Sequence, residues 1–134
     1  MKLTSRSEYA LLALVNLARC DEETFISADT IAQAQNIPPK FLEQILLVLK
    51  RSKYLRSTKG QRGGYRLARS PEHISLAEII RLFDGALAPT ESVSEYFYEP
   101  TPIEKEIRLV QVFKEIREYV STTLESTTIA ELIS

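Results

Sequence analysis

One cysteine, one histidine and no tryptophan occur in the 134 residues. A single thiol, Cys20, forms no intrachain disulfide and cannot build a thiolate cage for zinc or an iron–sulfur cluster within one chain. It reads as a small apolar residue near a helix end rather than a redox centre. His73 has no second histidine, cysteine or carboxylate cluster beside it, and no nucleophile–base pair is apparent, so the chain is not expected to be an enzyme. The longest apolar runs, "ALLALV" and "ILLVL", fall far short of the roughly 20 residues a membrane span needs. The opening "MKLTSRSEYA" lacks a secretory apolar region, and a cytoplasmic protein without a membrane partner is expected. Glycine is scarce, and three of the four glycines fall within residues 60–64.

Net charge is also small, but it is unevenly placed. The formal value is −1, yet residues 40–69 carry nine basic side chains against one acid, Glu43, a local +8 that leaves −9 for the rest. Such a band neutralises phosphates locally while the acidic remainder repels nonspecific polyanion contact. With 44% hydrophobic residues the length suits one domain, or one domain plus an oligomerisation element.

Periodicity supplies the elements. Tyr9, Leu12, Ala13, Val15 and Leu17 predict a helix over about residues 5–19, capped by Thr4 or Ser5. After the polar "DEET" turn, "SADTIAQAQNI" predicts a short helix with Ser27 as cap, Asp29 in its positive first turn and Asn36 as its stop. A third helix opens at "PP", because Pro39 needs no amide proton there, and runs through "KFLEQILLVLKRS". The short "QNIPP" break outlines a helix-turn-helix. At about 100° per residue, Leu42, Ile45, Leu46 and Leu49 share one side, while Lys40, Glu43, Gln44, Leu47 and Arg51 share the other. That outer face suits base recognition, since Gln pairs with adenine, Lys reaches guanine or phosphate, and Glu accepts from cytosine. Leu47 is the odd member; a packing contact is the better reading, a thymine-methyl contact the alternative.

The stretch "KYLRSTKGQRGGYRLARS" changes period: Leu55 and Ser57, then Tyr65 and Leu67, alternate with Arg56 and Arg66, the rhythm of a hairpin with one buried face. Gly60, Gly63 and Gly64 are expected to permit positive φ in its connection. A phosphate-cradling nucleotide loop requires a helix after the glycines, whereas "YRL" is a strand. The hairpin is therefore a wing, with Lys59 and Arg62 at its tip placed for a minor groove or its flanking phosphates.

Further on, Ser75 and Glu78 form a capping box with Ile74 and Ile79 as its staple, and Asp84-Gly85 ends that helix. Residues 86–100, "ALAPTESVSEYFYEP", read as a loop whose Tyr96, Phe97 and Tyr98 either line a pocket or, the better reading, dock the loop on the domain. A second capping box at Thr101 and Glu104 predicts a long helix from 101 to about 124. Its apolar residues, among them Ile107, Val110, Phe113, Ile116 and Val120, cover about two-thirds of the circumference, more than one domain usually covers. The simplest partner is the same helix of a second subunit. The tail "STTIAELIS", with Thr128 and Glu131 as another capping box, is expected to fold back.

In this order and spacing, "MKLTSRSEYALLAL", "IA…NIP…FLEQIL", "LRSTKGQRGGYRLAR", "ISLAEII…DG" and "TIAEL" resemble the Rrf-two (BadM-type) winged helix-turn-helix transcriptional regulators. This bacterial family includes iron–sulfur, nitric-oxide-sensitive and cysteine-metabolism regulators. The resemblance implies a mainly α fold with a small β-hairpin wing and a long C-terminal dimerisation helix. Residues 1–85 would form the DNA-binding domain, 86–100 a linker loop, and 101–134 the dimerisation and terminal helices. It implies a homodimer on double-stranded DNA, with Lys40, Phe41, Glu43 and Gln44 facing the major groove and Lys59 and Arg62 making wing contacts. Cluster-bearing relatives carry three cysteines in the segment matching 86–107. This chain has none there, so no iron–sulfur cofactor is implied, and Glu8 reads as a surface or helix-dipole carboxylate. The chain resembles the cluster-free branch of the cysteine-metabolism repressor, in which a partner enzyme governs DNA binding. The expected function is a sequence-specific regulator, most often a repressor, on a palindromic operator. The alternative is a protein-interaction module on a winged-helix scaffold.

Overall fold

The computed structural model describes residues 1–61 and 63–134. Three helices, α1 (Ser5–Arg19), α2 (Ala28–Gln35) and α3 (Pro39–Arg51), precede the antiparallel hairpin β1 (Leu55–Thr58) and β2 (Gly64–Leu67). Then come α4 (Leu76–Asp84), the long α5 (Ile107–Ser126) and the short α6 (Ile129–Ile133). The expected caps do their work: Thr4, Ser27 and Ser75 each accept a backbone N–H in the first turn of their helix, and Ser75 and Glu78 complete the reciprocal box. Asn36 closes α2 in the left-handed region, at φ 54, a conformation asparagine tolerates better than most residues. Thr4 also donates its N–H and hydroxyl to the Asp84 carboxylate, tying the start of α1 to the end of α4.

One core unites these pieces. Leu14 of α1, Ile31 of α2, Leu42, Ile45, Leu46 and Leu49 of α3, and Ile74 and Ile79 around α4 are fully buried together. Ile129 of α6 lies in the same core, because Leu76 donates its N–H to the Thr127 carbonyl and Ile129 to that of Ile74, both at 2.9 Å. Pairing in the hairpin runs Leu55 to Leu67, Arg56 to Arg66, Ser57 to Tyr65 and Thr58 to Gly64. Ile26 extends it by a two-bond bridge to Tyr65, 2.8 Å in each direction.

Several expectations are corrected. Of the wing glycines, Gly60 stands at positive φ, but Gly63 and Gly64 do not. They are small because backbone passes close by, a Cβ at Gly64 falling 2.3 Å from the Ile26 carbonyl oxygen. The long helix begins at Ile107, after a separate turn at Pro102–Lys105. Thr101 does not cap it, since its hydroxyl is engaged with those of Ser92 and Thr90. Tyr96, Phe97 and Tyr98 remain exposed and only partly dock the 86–100 loop: Tyr96 takes the Arg81 guanidinium 4.9 Å from its ring centre and Phe97 lies beside Gly85, whereas Tyr98 bonds only Glu104. Leu87, Ala88 and Val93 are buried instead, and the Arg117 guanidinium donates to the Val93 carbonyl at 2.9 Å.

Candidate nucleic-acid interface

Helix α3 presents two chemically different sides. Leu42, Ile45, Leu46 and Leu49 are buried, while Lys40, Phe41, Glu43, Gln44, Leu47 and Arg51 are exposed. Phe41 is 58% exposed and Leu47 40%. The packing reading of Leu47 is thus overturned: position 47 turns about 340° from position 40, the centre of the outer face. Pro38 stands at the N-cap and Pro39 in the first turn, so no side chain caps the N-terminal end of α3. Lys59 lies exposed at the wing tip; Arg62 lies outside the described residues. Lys40, Gln44 and Arg51 on α3 and Lys59 on the wing are thus all exposed, within the basic stretch 40–69 of the sequence.

The base of the wing is fixed by a carboxylate that sequence reasoning credited only with a capping role. Tyr54, just before β1, donates its hydroxyl to Glu78 Oε1 at 2.7 Å, and Arg69, just after β2, donates to the same oxygen at 3.3 Å. The second oxygen, Oε2, accepts the Ser75 N–H at 2.8 Å. The Arg69 guanidinium also stacks 4.3 Å from the centre of the Tyr54 ring. Burial alone would raise the pKa of Glu78, but the bonds from Ser75 and Tyr54 and the nearby Arg69 charge outweigh it and hold the carboxyl below its ordinary value. Burial and the bond to Glu78 push the Tyr54 hydroxyl up to about 12. No local sequence signal marks Tyr54 or Arg69, because their partner lies on α4, 24 and nine residues further along the chain.

Helix α5 is 20 residues long, about 30 Å, and Ser121 is its one buried residue. Val110, Phe113 and Val120 are half-buried, on the side where Arg117 and Leu124 meet the rest of the chain, and Ile107 is exposed. The outward stripe is Leu109, Val112, Ile116 and Tyr119, each exposed by 42–75%. Their spacing of three, four and three is that of a coiled-coil seam. Of the five residues assigned to dimerisation from sequence, Ile116 lies on this stripe. The others were not separable from it while the apolar surface was counted without knowing which side the chain itself covers.

A helix-turn-helix with an exposed polar reading face, followed by a basic hairpin, defines a winged-helix DNA-binding protein. The family described as "Rrf2: Iron-dependent Transcriptional regulator" matches residues 3–134, and the chain belongs to it. An HTH-type transcriptional regulator of Mycobacterium tuberculosis is 37% identical over 135 residues, spanning 98% of this chain and 81% of that protein. The regulator CymR of Bacillus subtilis is 33% identical over 134 residues, all of this chain and 91% of CymR. The solved structure of B. subtilis CymR, "the Global Cysteine Regulator", superposes with a TM-score of 0.78 over 99% of this chain and 96% of that one, at 29% identity. IscR of T. potens superposes with a TM-score of 0.71 over 99% of this chain and 86% of that one, at 28% identity. The chain is a DNA-binding transcriptional regulator of the Rrf2 family.

The family description raises iron, and the residues present do not fit it. The segment 86–107 contains neither cysteine nor histidine. Its Glu104 carboxylate takes the Tyr98 hydroxyl, and the Thr90, Ser92 and Thr101 hydroxyls bond one another. The Cys20 thiol donates to the Asn16 carbonyl at 3.2 Å. Among the described residues no three His, Cys, Asp or Glu side chains are grouped to hold a metal ion.

Proposed function

We propose that the chain acts as a homodimeric, sequence-specific repressor on a palindromic operator in the cytoplasm, without a catalytic role. The carrying observation is the exposed polar face of α3 next to the wing, inside a band of local charge +8. In this reading Lys40, Phe41, Glu43 and Gln44 contact base edges, and Arg51, Lys59 and Arg62 hold phosphates. The Leu109–Val112–Ile116–Tyr119 stripe pairs with its copy in a second subunit. Two reading helices then approach half-sites about 34 Å apart.

Selection of bound duplexes from a random library, followed by fluorescence anisotropy over a salt series, tests this. Gln44→Ala is expected to change the preferred sequence. Lys59→Ala is expected to weaken all sequences alike and to reduce the log–log salt slope by about 0.9. Failure to bind any duplex at low salt would sink the reading. A second reading, control by a protein partner, draws support from the exposed Tyr96, Phe97 and Tyr98. A partner that binds whether or not DNA is present, with no enriched operator, would favour it.

A further inference from the structure

We propose that the trough between the end of α3 and the wing is a second phosphate-binding surface, gripping DNA backbone outside the segment read by Lys40 and Gln44. The proposal rests on the DNA-binding reading above and extends it to residues that reading leaves unused. The trough, about 680 Å³, is lined by Phe25, Lys50, Lys53, Leu55, Arg56 and Arg69, with no acid among its lining residues. Lys50, Lys53 and Arg56 are exposed and take part in no ion pair among the described residues. Arg69 alone of the lining cations has an acid, Glu78. Arg56 stands directly across the hairpin from Arg66, and like charges in that register destabilise a sheet unless an anion relieves them. Arg66 is turned over the Phe25 ring, 4.8 Å from its centre. The ligand this chemistry selects is a phosphate-bearing polyanion.

The backbone at Lys53 is an independent observation. Helix α3 ends in a Schellman turn, Tyr54 donating its N–H to the Leu49 carbonyl at 2.9 Å and Lys53 to that of Lys50 at 3.0 Å. Lys53 itself stands at φ 71, the left-handed position that glycine fills at least cost. A lysine here gives up stability and places an ammonium in the trough. That trade is understandable if the cation has a ligand. Base contacts come from the N-terminal end of a recognition helix. The trough lies at the other end, beside the root of the wing, where backbone beyond those bases runs.

Two duplexes built on the selected operator, one minimal and one longer by about six base pairs on each side, separate this from the reading it rests on. Both are titrated with wild type, Lys53→Gly and the double variant Lys50→Ala/Arg56→Ala over a salt series. Wild type is expected to bind the longer duplex more tightly, with a log–log slope steeper by about 2 to 3. The double variant is expected to lose roughly tenfold on the longer duplex, with little change on the minimal one. Lys53→Gly is expected to lose affinity on the longer duplex while its melting temperature rises by about 2 °C, a pair of opposite changes that a purely structural lysine does not produce. Equal losses on both duplexes overturn the proposal and leave the DNA-binding reading standing. Absence of binding to the minimal duplex by wild type removes both. Binding of ATP or pyrophosphate without DNA, lost in the same variants, makes the trough a small-ligand site and also overturns the backbone assignment.

Discussion

Gly64→Ala tests how the wing is held to the body of the domain. An ideal Cβ at Gly64 would lie 2.3 Å from the Ile26 carbonyl oxygen, 2.4 Å from its carbon and 2.8 Å from the Ser27 nitrogen. All three are backbone atoms, so no side-chain rotation absorbs the methyl group, and β2 must move off the segment that Tyr65 pairs with. Losing the two bonds between Ile26 and Tyr65 costs about 2 kcal/mol at ~1 each. Uncovering part of the half-buried Ile26 side chain adds on the order of 1 kcal/mol, for a total near 3 kcal/mol. Gly60→Ala is the control: its Cβ meets no atom of the described residues within 4 Å, and φ +106 leaves backbone strain, about 1 kcal/mol. Urea unfolding at fixed protomer concentration measures both, since subunit association makes apparent stability depend on concentration. The midpoint shift should be about three times larger for Gly64→Ala, with m unchanged. A Gly64→Ala protein within 1 kcal/mol of wild type refutes the close-approach argument.

Three further outcomes are expected. Tyr54 ionises in the folded protein only near 12, above its ordinary 10.0; the folded state then binds the extra proton between those values, and stability should fall as pH rises through that window. Alkaline titration of Tyr54→Phe by circular dichroism should show a flatter fall than wild type; equal slopes would count against the Tyr54–Glu78 bond. Glu78→Gln should lower the melting temperature at neutral pH, and the difference from wild type should shrink as pH falls through the carboxylate range, because the depressed pKa stabilises the fold only while Glu78 is ionised in it. Ile116→Glu sets a charge in the middle of the α5 stripe and should yield monomers by sedimentation equilibrium, with Ile107→Glu much milder. Dimers of unchanged strength in Ile116→Glu would falsify the seam.

What the sequence disclosed and what it concealed divide along one physical line. Caps at Thr4, Ser27 and Ser75, the stop at Asn36 and the two faces of α3 depend on neighbours within four or five residues, and each was readable from local spacing. The reason for Gly64 was not, because the backbone that crowds it lies about forty residues earlier in the chain, at Ile26. Thr101 looked like a cap by every local rule, but a seryl hydroxyl nine residues before it claimed its side chain. The α5 stripe was blurred because apolar residues surround most of that helix, and only contact with the rest of the chain decides which remain uncovered. At the candidate interface, the outer residues of α3 were legible, but the Tyr54–Glu78–Arg69 grip and the left-handed Lys53 were not.

The return of α6 to the first helices bears on how this protein comes into being. Ile129 is as deeply enclosed as Leu14, yet it follows the whole of α5 in the chain. A nascent chain holding α1 to β2 already has every residue assigned to bases and wing, but its core has a gap until residues 127–133 emerge and close against Ile74. By then α5 has been synthesised in full. Vectorial synthesis therefore orders the events: the packing around Ile74 is completed only after the helix that carries the apolar stripe has been made.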